Sequence, residues 1–153
     1  MLTPPGFDKI AGSPFITVRT ILLIPACIIV LLAVIYSEHF LQSSPFLLLI
    51  PAFYYAFGNY MYYFLVSDSQ LLVRNHYFWW VNEPYELINI HTTCLERANG
   101  GRFAGLSVAL RIVTFDVRSK QYAADSLEEE DWKKLNEIFS RNAIPFSDST
   151  KYP

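Results

Sequence analysis

The chain has 153 residues, a net charge of −2 and a hydrophobic fraction of 52%. This near-neutral balance lacks the basic footprint that nucleic acid demands, and the length allows one small domain beside any apolar segment. Two cysteines, Cys27 within an apolar run and Cys94 outside it, exclude a disulfide framework as the source of stability.

Residues 1–14 read as an N-terminal tail. Beyond it, residues 20–37 and 45–66 contain no Lys, Arg, Asp or Glu. Each run is about the 20 residues that a helix needs to cross a hydrocarbon layer of about 30 Å. The pattern predicts two transmembrane helices in a hairpin occupying residues 15–66. Ser13-Pro14 and Ser44-Pro45 have the form of helix starts, a capping hydroxyl followed by proline at the first helical position.

Lys9 and Arg19 precede the first run and Arg74 follows the second, whereas the connection at 37–44 holds no Lys or Arg. By the positive-inside rule both termini are expected in the cytoplasm, giving a multi-pass protein of the inner (plasma) membrane. Arg19, Tyr60, Tyr62 and Tyr63 are predicted to sit at the membrane interface, because Tyr favours the headgroup zone. The lipid bilayer is the expected partner, beside a membrane protein or a second copy of the chain, with no nucleic acid.

From Tyr62 the chain reads as short β-rich runs divided by turn residues, and the pattern between Gly58 and Val66 is open to either helix or strand. The expected strands are 62–66, 71–77, 79–81, 86–90, 92–98, 106–116 and 121–124, with turns at Ser67-Asp68-Ser69-Gln70, Asn99-Gly100-Gly101 and Arg118-Ser119-Lys120. Val108, Leu110 and Ile112 share one face of their strand, and Ala109, Arg111 and Val113 the other. A helix is predicted over 127–141. Ser126 and Glu129 have capping-box spacing, and acidic residues crowd the first turn, where they suit the helix dipole. Trp132, Leu135, Ile138 and Phe139 form an apolar stripe that can cover a sheet. Residues 67–147 thus read as one domain and 148–153 as a C-terminal tail.

The order of these runs resembles a known group. The segment Phe64-Leu65-Val66-Ser67-Asp68-Ser69-Gln70-Leu71-Leu72-Val73-Arg74-Asn75 is similar to the opening hairpin of bacterial membrane proteins that carry a pleckstrin-homology-like domain. Glu83-Pro84-Tyr85-Glu86-Leu87-Ile88-Asn89-Ile90 resembles a later strand of such domains. Tyr122-Ala123-Ala124-Asp125-Ser126-Leu127, leading into Asp131-Trp132-Lys133-Lys134-Leu135, resembles their last strand and final helix. The resemblance implies an α+β membrane protein: a two-helix hairpin followed by an antiparallel β-sandwich or barrel capped by one C-terminal helix. It implies a membrane-anchored, non-catalytic binding or scaffolding module, the alternative being an accessory subunit of a larger membrane complex of transport or immunity type.

No catalytic residue, metal site or cofactor is expected. His91 and Cys94 have ligand-like spacing, but zinc takes three or four protein ligands and no second pair accompanies them. Gly100-Gly101 lacks the lysine pattern of a phosphate loop, and the Ser, His and Asp residues lack a nucleophile motif. Two groups are candidate lipid or partner contacts. One is Tyr77, Phe78, Trp79 and Trp80, which strand alternation would divide into an inward and an outward pair unless the core absorbs all four. The other is Arg97, Arg102, Arg111, Arg118 and Lys120, which would attract anionic headgroups if they share a face and are otherwise scattered solvated charges.

Overall fold

The structure, a computed structural model, describes residues 4–12, 18–37, 44–98, 107–116 and 118–150. Residues 38–43 of the expected loop at 37–44, the Asn99-Gly100-Gly101 turn and Arg102 lie outside the described residues.

Two sheets share one core. The first is antiparallel and runs in the order β1 (Asp8–Ile10), β2 (Tyr62–Val66), β3 (Gln70–Asn75), β4 (Asn82–Glu86). The second is ordered β7-β6-β5-β8, from β5 (Ile90–Arg97), β6 (Val108–Thr114), β7 (Ser119–Ala123) and β8 (Phe146–Asp148). Its β8 lies parallel to β5. The described helices are α1 (Val18–Ile35), α2 (Leu49–Gly58) and α3 (Glu129–Arg141), with 3-10 turns at Ser44–Leu48 and Leu87–Asn89.

Local chemistry sets the meander. At the β2–β3 turn the Ser67 N–H donates to the Gln70 carbonyl at 2.8 Å, and the Gln70 N–H donates to Ser67 Oγ at 3.1 Å. Serine thus closes the turn with its own side chain. Residues 79–81, expected as a strand, instead belong to a turn between β3 and β4. The Asn75 side-chain oxygen accepts from the N–H groups of Tyr77 and Phe78 at 2.8 and 3.0 Å and bends the chain there.

The expectation of a membrane-spanning hairpin is overturned: no helix among the described residues is long and apolar enough to cross a membrane. The second apolar run divides into the Ser44–Leu48 turn, the 10-residue α2 and strand β2. Ten helical residues rise about 15 Å, half of a hydrocarbon layer. The aromatic and branched residues 62–66 prefer a strand, and a charge-free run suits a strand buried on both faces as well as it suits a helix. Within β2, Phe64 and Leu65 point to opposite faces and are both buried, at 0% and 1% exposure. Helix α1 is described over Val18–Ile35. The multi-pass inner-membrane topology with both termini in the cytoplasm is withdrawn with the spans.

The fold class is corrected in the same way, to an α+β fold of two four-stranded sheets and three helices among the described residues. Two strands of the first sheet come from ahead of residue 67. Lys9 pairs with Leu65 and Ile10 with Phe64, so part of the expected N-terminal tail is an edge strand. The chain leaving β1 runs so close to the segment before α3 that a Cβ on Gly12 would lie 1.3 Å from the Ser126 carbonyl oxygen, which only glycine permits.

Helix α3 forms on the stripe read from the sequence, with Leu135 and Phe139 fully buried and Trp132 and Ile138 packed beside them. Its cap is shifted: Glu128 is the capping residue, and its N–H donates to the Asp131 carboxylate at 3.2 Å. Ser126, expected in that role, is buried at 5% exposure. After α3, Ala143 takes a positive φ of 55°, and the Ile144 N–H donates back to the Phe139 carbonyl at 2.9 Å. That reversal returns the chain to β5 as β8. Phe64, Leu71, Val73, Leu110, Ile112 and Tyr122 join α3 in one core.

Candidate interaction surface

Helices α1 and α2 pack on each other and on the Ser44–Leu48 turn. Only Val34 of α1 is buried among its described side chains, at 2% exposure. Ile21, Ile24, Ile28, Ile29, Leu31, Leu32 and Ile35 of α1 are exposed, as are Phe46, Leu48, Leu49, Tyr54 and Tyr55. Adjacent positions such as 28 and 29 lie about 100° apart around a helix, so the exposed apolar surface wraps the pair and is wider than one stripe. Monomeric proteins in water seldom show apolar patches beyond a few hundred Å², and larger ones mark contact surfaces.

The aromatic turn joins this helix pair to the sheets. The Tyr54 hydroxyl donates to the Tyr77 carbonyl at 2.6 Å, and its ring meets those of Tyr77 and Phe78 at 5.3 and 5.9 Å. Tyr55 stands 5.7 Å from Phe78. Phe78 fills the space over Gly58, where a Cβ would come within 2.5 Å of its ring. The Asn75 amide donates to the Gly58 carbonyl at 2.7 Å. The four aromatics divide two and two: Tyr77 and Phe78 lie inward, whereas Trp79 and Trp80 are 70% and 61% exposed. The division comes from the turn rather than from strand alternation.

The interface tyrosines and basic residues are spread over the fold. Tyr60 packs on a small cluster of Ala98, Ala109 and Ala123. Tyr62 sits edge-on to Tyr122 at 5.2 Å, and burial pushes its phenol above the ordinary range. Tyr63, 5% exposed, lies 4.5 Å from the His76 ring with the Lys9 ammonium over its face. Arg19 falls in the first turn of α1. Arg97 is exposed near the helix end of β5, next to Ala98. Arg111 pairs with Glu96 at 2.6 Å on the outer face of the second sheet. Arg118 pairs with Asp116 at 3.0 Å, and Lys120 with Glu83 at 2.5 Å. Because Ala124 bridges Met61 beside α2, Arg118 and Lys120 mark the opposite end of β7. These residues share no single face.

Edge strands β4 and β7 are linked by a polar chain that the sequence did not announce. Tyr122, fully buried, donates to Glu83 Oε2 at 2.6 Å and also meets the Tyr85 hydroxyl. Burial, then the bond to Glu83, push its phenol far above the usual range. Outside this seam lies an open cleft of about 1020 Å³ lined by Asn82, Glu83, Glu86, Thr114, Arg118 and Lys120 among others. Its carboxylates are engaged: Glu83 as described, Glu86 by the Asn89 amide at 2.9 Å, and Asp116 by Thr114 and Arg118. The Thr114 bond, ahead of Arg118, holds the Asp116 carboxyl below its ordinary value. Glu83 and Tyr85 were legible only as part of a strand motif, and Tyr122 as one strand residue.

The His91 ring lies tilted against that of Phe115 at 5.0 Å, while the Cys94 thiol lies 3.5 Å from Ser149 Oγ. Among the described residues no group of three or more His, Cys, Asp or Glu is placed to hold a metal ion. Compared with family models and with curated proteins, the chain matches none. The resemblance to bacterial membrane proteins with a pleckstrin-homology-like domain is therefore withdrawn, along with the spans on which it leaned.

Proposed function

We propose that this protein is a non-catalytic binding module held at a lipid surface by its apolar helix pair, which enters one leaflet from the side of the sheets without crossing. The observation that carries this reading is the wrap of exposed apolar side chains, Ile and Leu on α1 and Leu49, Tyr54 and Tyr55 on α2. Covering half-exposed aliphatic and aromatic chains gains about 1 kcal/mol each, on the order of 10 kcal/mol for the pair. A flat protein partner would cover one side of the pair, whereas acyl chains solvate every side. Residues 20–35 of α1 and all of α2 carry no Lys, Arg, Asp or Glu, so beyond Arg19 at the start of α1 no charge has to be desolvated on entry. The two sheets remain in water as the presented domain.

Flotation of the full chain with phosphatidylcholine vesicles tests the reading. The protein is expected to float with the vesicles, with little dependence on added anionic lipid, because Arg111, Arg118 and Lys120 are already paired with carboxylates. Replacing Ile28, Ile29 and Leu32 together by Glu should abolish flotation and leave the β-sheet circular dichroism intact. Protein that stays in the aqueous fraction as a stoichiometric dimer, or with a co-purified partner subunit, overturns it.

A further inference from the structure

We infer that Trp79 and Trp80 form a collar that fixes how deep the helix pair enters, with their indoles at the headgroup level. This deepens the reading above and rests on it. The two residues project, 70% and 61% exposed, from the turn whose other half is clamped to α2 by Tyr54 and Gly58. Trp80 stacks on Phe78 at 5.2 Å and Trp79 stands edge-on to Trp80 at 5.8 Å, so the pair is held in position. On one side of this turn lies the helix pair, whose only Lys, Arg, Asp or Glu is Arg19 in the first turn of α1. On the other, β4 begins with Asn82 and Glu83, and the Asn82 side chain accepts from Arg74 Nε at 2.9 Å. An indole combines a large apolar body with one N–H that seeks a partner, and it therefore favours the zone between acyl chains and water. The ion-paired strand next in line carries charge that resists deeper entry.

Tryptophan emission of the full chain in phosphatidylcholine vesicles tests this. Trp132, packed 6.1 Å from Phe64 in the core, is replaced by Phe so that only Trp79 and Trp80 report. If W132F fails to fold, the same signal is taken as the difference between the wild-type chain and W79F/W80F. Addition of vesicles is expected to shift the emission to the blue, and a nitroxide near the lipid carbonyls should quench it more than one near the acyl ends. In W79A/W80A, partition into vesicles should fall about tenfold. Unshifted emission, or stronger quenching by the deep nitroxide, in a protein that still floats overturns the collar and spares the helix-pair reading. Loss of flotation in the wild-type chain overturns both.

Discussion

Tyr122 donates its phenolic hydrogen to Glu83 Oε2 at 2.6 Å, across the seam between the two sheets. That hydrogen is spent on the carboxylate, so the Tyr85 hydroxyl must be the donor in its contact with the Tyr122 oxygen. Lys120 holds the other carboxylate oxygen at 2.5 Å. Glu83 thus accepts from both sides, and β4 is tied to β7 where no backbone ladder joins them.

Breaking this chain should loosen the seam. Tyr122→Phe removes one charge-assisted bond and leaves Glu83 and Tyr85 short of a partner, for an expected loss of about 1–3 kcal/mol. Urea unfolding followed by circular dichroism measures it. Tyr85→Phe, which removes only the outer link, should cost less.

The same residue predicts an alkaline limb. Its folded-state pKa is raised, so the protonated phenol is favoured in the fold. That contribution is full below the unfolded value of about 10 and is lost as the pH climbs beyond it. Stability should fall more steeply between about pH 9 and 11 in the wild-type chain than in Tyr122→Phe. Parallel slopes would refute the assignment.

His76 predicts an acid limb of opposite sense. Burial first, and then Lys9, lower its pKa from 6.5 to about 4, and its Nε2 has no hydrogen-bond partner among the described residues. The neutral ring is favoured in the fold. Its contribution is full above the unfolded value and is lost as the pH falls from about 6.5 towards 4. Allowing for partial solvent access, the loss is on the order of 1–2 kcal/mol. His76→Phe should flatten the stability profile across that window, as read by thermal melts at matched ionic strength.

Gly58 and Phe78 should be coupled. A Cβ at position 58 meets the Phe78 ring at 2.5 Å, so Gly58→Ala is expected to destabilise the joint by about 1–3 kcal/mol. Phe78→Leu gives the new methyl room, and in a double-mutant cycle it should recover part of that loss. Additive effects would mean that the two sites do not share the contact.

Phe139, fully buried in α3, carries the seal between helix and sheets. Phe139→Ala should cost about 3–5 kcal/mol in urea denaturation. An exposed position on the same helix, Lys133→Ala, should stay within about 0.5 kcal/mol.

Residues 108–114 and 129–141 were legible as strand and helix because their patterns repeat over many residues. Leu110 and Ile112 fall in the core, and Leu135 and Phe139 seal it. Residues 62–66 form the expected strand, but the spans expected ahead of them were misread because uniform apolarity carries no period. Charge-free residues 62–66 can serve a lipid-facing helix or a strand buried on both faces. The candidate surface was half legible: Trp79 and Trp80 stood out by type, but their outward position follows from the bend at Asn75.

The sequence by itself determined that a large apolar surface exists near the front of the chain, because charge is absent from 20–37 and 45–66 whatever the fold. It also determined the amphipathic C-terminal helix, whose stripe and acidic first turn are local properties. Only the tertiary structure decided where that apolarity goes. Asp8–Ile10 and Gln70–Asn75 supply the backbone partners that draw residues 62–66 into a sheet, while α1 and α2 find few partners beyond each other and remain exposed. The hairpin with Gln70–Asn75 is local, whereas the pairing with Asp8–Ile10 joins segments more than 50 residues apart, and no local pattern encodes it.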